Sequence, residues 1–199
     1  MQRRSKAPKP RAMPGFSLLE LLVAIAVASV LLTIAIPSFN NIMASNRLSA
    51  TANDLVGGIA LARIQAIKRN TPTQFCSNDS FYNGSDTLGL ACDTSAGAVI
   101  TLNPDGTTTT IAGAPDVSET ITIRTSSDMT ALRFRGNGLA TTPTGTALYN
   151  GLVADVFSAN ISQNNHRCIY LITGSTVVSC RYTAGTGGCP VDEPNNCQR

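Results

Sequence analysis

Glu20 is the one ionisable side chain in the apolar run from Phe16 to Pro37. A carboxylate in such a run is costly unless a cation meets it, and the run itself supplies no Lys, Arg or His. Cutting the chain between Gly15 and Phe16 would create one, the α-amino group of Phe16. That ammonium is badly placed for its own Glu20 along a rigid helix, but a neighbouring copy's would reach it. The chemistry written here is therefore peptide cleavage followed by ion pairing between copies, which would set the stagger of packed helices. Little else in the chain suggests catalysis. His166 is the single histidine, and no Gly-x-Ser-x-Gly, P-loop or H-E-x-x-H pattern occurs. No enzyme activity and no cofactor are expected. His166, beside Arg167, reads as an exposed residue at a strand start. Asp79, Asp86 and Asp93 lack the spacing of a calcium loop and read as solvated acids.

The elements that must position Gly15, Phe16 and Glu20 are legible around them. Residues 1–15 hold Arg3, Arg4, Lys6, Lys9 and Arg11 with no acid. Without these five, ten basic residues face twelve acids, so residues 16–199 carry about −2 and are not a basic domain. The 22 residues from Phe16 to Pro37 would span about 33 Å as a helix, against a hydrocarbon core of about 30 Å. With the cations in front, the positive-inside rule keeps the N-terminus cytoplasmic and exports the rest. Pro37 would kink or loosen the helix without necessarily ending it. Beyond it Leu48, Ala52, Leu55, Ile59, Ala62 and Ala66 recur at helical spacing, predicting an amphipathic continuation to about Asn70, stopped by Thr71-Pro72. Gly57-Gly58 within it is expected to let a sheet pack closely on the helix.

From Thr73 the texture becomes short Thr-, Val- and Ile-rich runs between turn residues. Strands are expected at Thr73–Cys76, Ala98–Leu102, Glu119–Thr125, Ala131–Phe134, about Ala147–Val153, His166–Ile172 and Thr176–Tyr182. Thr107–Thr110 reads as a polar loop tract. The fold class is α+β, a long N-terminal helix covered by antiparallel strands. Five parts are expected: a leader (1–15), a membrane half-helix (16–37), an amphipathic half-helix (38–71), a β-rich domain (72–185) and a tail (186–199).

Gly15-Phe16-Ser17-Leu18-Leu19-Glu20-Leu21-Leu22, behind a short basic leader, resembles the class III signal of type IV pilins and pseudopilins. That resemblance implies a membrane aspartyl prepilin peptidase cutting after Gly15, N-methylation of Phe16, Glu20 as the assembly carboxylate and Pro37 as the helix-kink proline. The stretches "MTALRFRGNGLATTPTGTALYN" and "CIYLITGSTVVSC" narrow it to the pseudopilin-H/FimT/FimU group. The implied protein is a minor pilin, anchored in the inner membrane with a periplasmic domain, that helps initiate or cap a type IV pilus. An H-type pseudopilin of type II secretion is the alternative. Implied partners are the peptidase, other major and minor pilins, the inner-membrane assembly platform and inner-membrane lipid.

The six cysteines, Cys76, Cys92, Cys168, Cys180, Cys189 and Cys197, all lie in the exported part, where an even number implies disulfides. Of the fifteen pairings that six thiols permit, neighbour order is expected: Cys76–Cys92 around a polar loop, Cys168–Cys180 across a hairpin, Cys189–Cys197 in the tail. No C-x₂₋₄-C pair occurs, so a zinc site is not expected.

DNA is the rival partner, in the role of a receptor for natural transformation. Some FimT relatives bind it through Gly-Arg-x-Arg in the last hairpin, where this chain reads Gly174-Ser175-Thr176-Val177 and lacks both arginines. Arg133 and Arg135 alternate with Phe134 and would share one strand face, with Arg167 and Arg181 nearby. So few arginines would give weak, salt-sensitive contact, and no binding at physiological salt is expected.

Overall fold

A computed structural model of the chain describes residues 15–117, 121–123, 129–184, 187–195 and 197, with the backbone alone for residues 34–38. Most of the expected leader therefore lies outside the described residues. The chain divides into two compact units, residues 1–40 and 41–199.

Helix α1 runs over Leu18–Arg69 and continues through Pro37. In the first unit its described side chains, from Phe16 to Thr33, are all exposed. The hydroxyls of Ser29 and Thr33 turn back onto the carbonyls of Ala26 and Val30, at 2.8 and 2.7 Å. Polar groups are thus closed within the helix itself, as an apolar surrounding requires. Among the described residues no helix is long and apolar enough to cross a membrane. The side chains of residues 34–38, part of the apolar run, lie outside that set.

In the second unit the helical stripe is buried as its spacing predicts. Leu48, Ala52, Leu55, Ile59, Ala62 and Ala66 are each at most 2% exposed. Each Leu or Ile buried in this way stabilises the fold by about 1.5–3 kcal/mol. The helix ends where Asn70 turns to φ +50°, a left-handed C-terminal residue, with Pro72 beyond it. Only Gly58 of the glycine pair serves close packing. A Cβ there would meet the Phe75 ring at 3.0 Å, whereas one on Gly57 would meet nothing within 4 Å.

The strands are β1 (Thr73–Phe75), β2 (Val99–Leu102), β3 (Thr108–Ala112), β4 (Thr122–Ile123), β5 (Leu132–Phe134), β6 (Ala140–Thr141), β7 (Gly151–Phe157), β8 (His166–Ile172) and β9 (Thr176–Tyr182). They form two antiparallel sheets, ordered β3-β2-β1-β5-β6 and β4-β7-β8-β9. Helix residues, Phe75, Val99 and Phe134 of the first sheet, and Val153, Ile169 and Leu171 of the second share one apolar core. The β8–β9 turn ties the sheets together. The amide of Ala140 donates to Gly174 O and that of Gly174 to Tyr149 O, each at 2.8 Å. Gly174 has φ +70°, and a Cβ on it would meet the Ala140 carbonyl oxygen at 3.0 Å, so the turn needs glycine.

Several expectations are corrected. Thr107–Thr110 is not a loop tract, because Thr108–Ala112 pairs with β2 as an edge strand, a place that suits threonine. The strand expected at Ala147–Val153 lies later, at Gly151–Phe157, and Leu148 makes only an isolated bridge to Thr141. The strand expected at Glu119–Thr125 is described only at Thr122–Ile123. The β1–β2 loop contains two short helices, α2 (Ser80–Asn83) and α3 (Thr87–Cys92), capped by Asp79 and Asp86. Those acids accept backbone N–H bonds at 2.9 and 3.0 Å, which is why they stand there.

Cysteine pairing agrees in one bridge of three. Cys76–Cys92 forms, but Cys168 joins Cys189 and Cys180 joins Cys197. Cys168 and Cys180 do sit opposite each other on β8 and β9, as expected. Their thiols share a face on which the tail lies, held also by Tyr170 Oη donating to Pro190 O at 2.8 Å and Leu152 N to Val191 O at 3.2 Å. The observed bridges span 21 and 17 residues instead of the 12 and 8 of neighbour order. Longer closures remove more entropy from the unfolded chain.

Candidate processing and assembly site

Gly15 is exposed and lies outside the helix, with nothing within 4 Å of where a Cβ would stand. Phe16 follows, 81% exposed. Ser17 then caps α1. Its Oγ accepts from the amide of Glu20 at 3.2 Å, and its carbonyl accepts from Leu21 N at 3.1 Å. Ser17-Leu18-Leu19-Glu20 is the S-x-x-E pattern of a helix start, with an acid in the first turn where the positive end of the helix dipole favours it. The S-x-x-E spacing was the signal for this capping role of Ser17, which reading Glu20 by charge alone misses. The carboxylate of Glu20 has no partner among the described residues. A fixed backbone therefore presents one unpaired acid beside an exposed Gly-Phe bond.

The arginines weighed for DNA contact are not brought together. Arg133 does not lie on a solvated face. Its guanidinium clamps Asp86 at 2.5 and 2.8 Å and reaches Gln74 Oε1, with only 10% of its side chain exposed. β5 ends at Phe134, leaving Arg135 exposed beyond the strand. Arg167 is buried too, bonded to the carbonyls of Asn164 and His166 and to Ser49 Oγ at 3.2 Å. Burial, and secondarily the charge of Arg181, lowers its pKa. Only Arg135 and Arg181 of the four are exposed. A titration of the full chain in nanodiscs with labelled duplex, at two salt concentrations, is expected to be flat. Affinity in the micromolar range that falls steeply with salt would contradict this.

His166 is likewise not exposed. β8 is an inner strand, and His166 is fully buried, with Nδ1 2.7 Å from Asp155 Oδ1 and its ring tilted against that of Phe157. Asp155 Oδ2 accepts from the amide of Cys189 at 3.0 Å, so this pair fastens the tail. Asp155, His166 and Cys189 place ligand atoms within 4.8 Å of one another, but the Cys189 sulfur is committed to Cys168.

The Arg133 clamp makes a pH prediction. Its hydrogen bond to Asp86 is the main reason that carboxyl titrates below its ordinary value of 3.8. A lowered native pKa gives stability that is complete above the ordinary value and drains as pH falls below it. Asp86→Asn keeps the helix cap but loses the charge, for a cost of about 1 kcal/mol at neutral pH because solvent screens the exposed half of Asp86. Melting curves should show parent and variant separated at pH 7, with the gap narrowing as pH falls below 3.8. A constant gap would refute the clamp.

Taken together, an N-terminal helix led by an exposed Gly-Phe bond and packed under antiparallel sheets defines a pilin-like chain. Residues 51–176 match the family model described as type II transport protein GspH, and residues 11–36 match the prokaryotic N-terminal methylation motif. The first match covers more than half of the chain, which belongs to the GspH family of pilin-like pseudopilins and minor pilins, proteins anchored in a membrane through the N-terminal helix. No solved structure matches it.

Proposed function

We propose that this chain is a minor pilin, a structural rather than catalytic subunit of a type IV pilus. In this reading prepilin peptidase cuts after Gly15 on the cytoplasmic face of the inner membrane and Phe16 is N-methylated. The apolar half of α1 stays in the bilayer, the domain from Asn41 lies in the periplasm, and other pilins and the assembly platform draw the subunit into a filament. The observation that carries the reading is the unpaired Glu20 carboxylate, four residues after Phe16, on the stretch of α1 from Leu18 to Thr33 whose side chains are all exposed. Three disulfides suit a subunit displayed outside the cell, where no reducing system protects it. The match to the type II transport protein family favours a second reading, the H-type pseudopilin of type II secretion, which uses the same export chemistry.

Gly15→Val tests the processing step. A branched side chain where the peptidase must approach the backbone should block the cut. Membranes are then expected to hold only the uncut precursor. N-terminal sequencing of the variant that still begins at Phe16 would sink the proposed cleavage site.

A further inference from the structure

The β1–β2 loop carries features that assembly through α1 does not use. Phe81 is 82% and Leu90 72% exposed, with Tyr82 half-exposed and set edge-on to Phe81 at 5.4 Å between ring centres. Such side chains in contact with water mark binding surfaces when they cluster. This loop is also fastened from within. Beneath the aromatic pair, fully buried Asn83 receives bonds from Gln74 Nε2 and Ser77 N and donates to the carbonyls of Ser77 and Asp93. Cys76–Cys92 closes the loop, and Arg133 holds Asp86 at its middle. The aromatics are therefore presented by a preformed frame, which lowers the ordering cost of binding.

Below them opens a cleft of about 720 Å³, within the range of small-ligand sites. Phe81, Tyr82 and Leu90 line it from the loop, and Thr142, Pro143 and Thr144 from the segment after β6. Among the described residues no charged side chain lines it, which favours an uncharged ligand. The hydroxyls of Ser80, Tyr82, Ser85 and Thr144 have no hydrogen-bond partner among the described residues, which leaves donors and acceptors facing the cleft. A purely hydrocarbon ligand would leave them unmatched. An exposed aromatic ring beside neutral hydroxyls matches one chemistry well, that of a sugar ring, apolar on its C–H face and hydroxylated at its edge.

We propose that this cleft binds an uncharged saccharide, stacked on the Phe81 ring with Tyr82 set edge-on beside it, and hydrogen-bonded by the serine and threonine hydroxyls. The inference is independent of which filament the chain enters. The test is saturation-transfer NMR on the full chain in lipid nanodiscs, with maltohexaose, cellohexaose and chitohexaose as probes. Transfer to at least one of them is expected, and Phe81→Ala with Tyr82→Ala should weaken its binding about tenfold or more. Both side chains are largely outside the core, so the variant should keep its disulfides and circular dichroism. Val191→Ala, exposed elsewhere, should bind as the parent does. Transfer to none of the three sugars, or transfer unchanged in the double variant, would overturn the proposal. So would a double variant that loses crosslinks to a neighbouring subunit while the parent transfers to no sugar, since the surface would then be a protein interface.

Discussion

Glu20→Ala is expected to be cleaved and inserted as well as the parent chain, yet to be missing from filaments. The substitution leaves Gly15 and Phe16 untouched, and the Ser17 hydroxyl still caps the helix through the backbone amide of residue 20. Alanine is a better helix former than glutamate. Removing a carboxylate from an apolar run also lowers the cost of insertion, by up to about 3 kcal/mol. Everything local to the subunit is therefore kept or improved. The partner is what is lost, since the Phe16 ammonium of a neighbouring subunit would face hydrocarbon with no acid to meet it. Leaving one charge of a desolvated pair unmatched costs about 3–5 kcal/mol. Repeated at each addition, that would exclude the variant from assembly. Immunoblots of membranes and sheared filaments measure the two fractions. Glu20→Gln separates charge from hydrogen bonding and should fail as Ala does. Parent-like amounts of either variant in sheared material would show that the pairing is not required.

The second large effect is expected on reduction. The three bridges span 16, 21 and 17 residues. Each closure of this size is worth about 3 kcal/mol in the chain-entropy picture, and the three together less than ~9 because the last two loops overlap. A domain of this size is stable by only about 5–15 kcal/mol in total. Reduction should therefore bring the globular part close to unfolding at growth temperature, with the tail and the Cys168 and Cys180 region released together. Thermal melts followed by circular dichroism, with and without dithiothreitol, provide the readout. A melting temperature shifted by only a degree or two would mean that the apolar core alone holds the fold.

The parts of this molecule that follow local rules were readable in its residues. The buried stripe from Leu48 to Ala66 obeys one period over five turns of helix, and a helix has one way to bury it. The opposition of Cys168 and Cys180 followed from a hairpin with glycine at its turn. What escaped prediction depended on long-range partners. Arg133 looked like a surface cation because nothing near it in sequence reveals that Asp86 and Gln74, 47 and 59 residues away, will enclose it. His166 looked exposed for the same reason, its partner Asp155 lying across the strand pair. The tail bridges depended on where a Pro- and Asn-rich segment would lie, which no periodicity encodes. Thr108–Ala112 was missed because an exposed edge strand has no apolar alternation to show. At the N-terminus the charge pattern pointed to cleavage and pairing, while the cap at Ser17, written in the same four residues, became plain only with the hydrogen bond in view.

The central claim is that cleavage after Gly15 turns this chain into a filament subunit whose new N-terminus meets Glu20 of a neighbour. Intact-mass analysis of the chain recovered from sheared filaments tests it most directly. The account predicts a protein that begins at Phe16, carries one extra methyl group on that residue and retains three disulfides. Filaments containing the chain with Met1 still in place, or a fully assembled filament fraction from which the chain is absent, would contradict it.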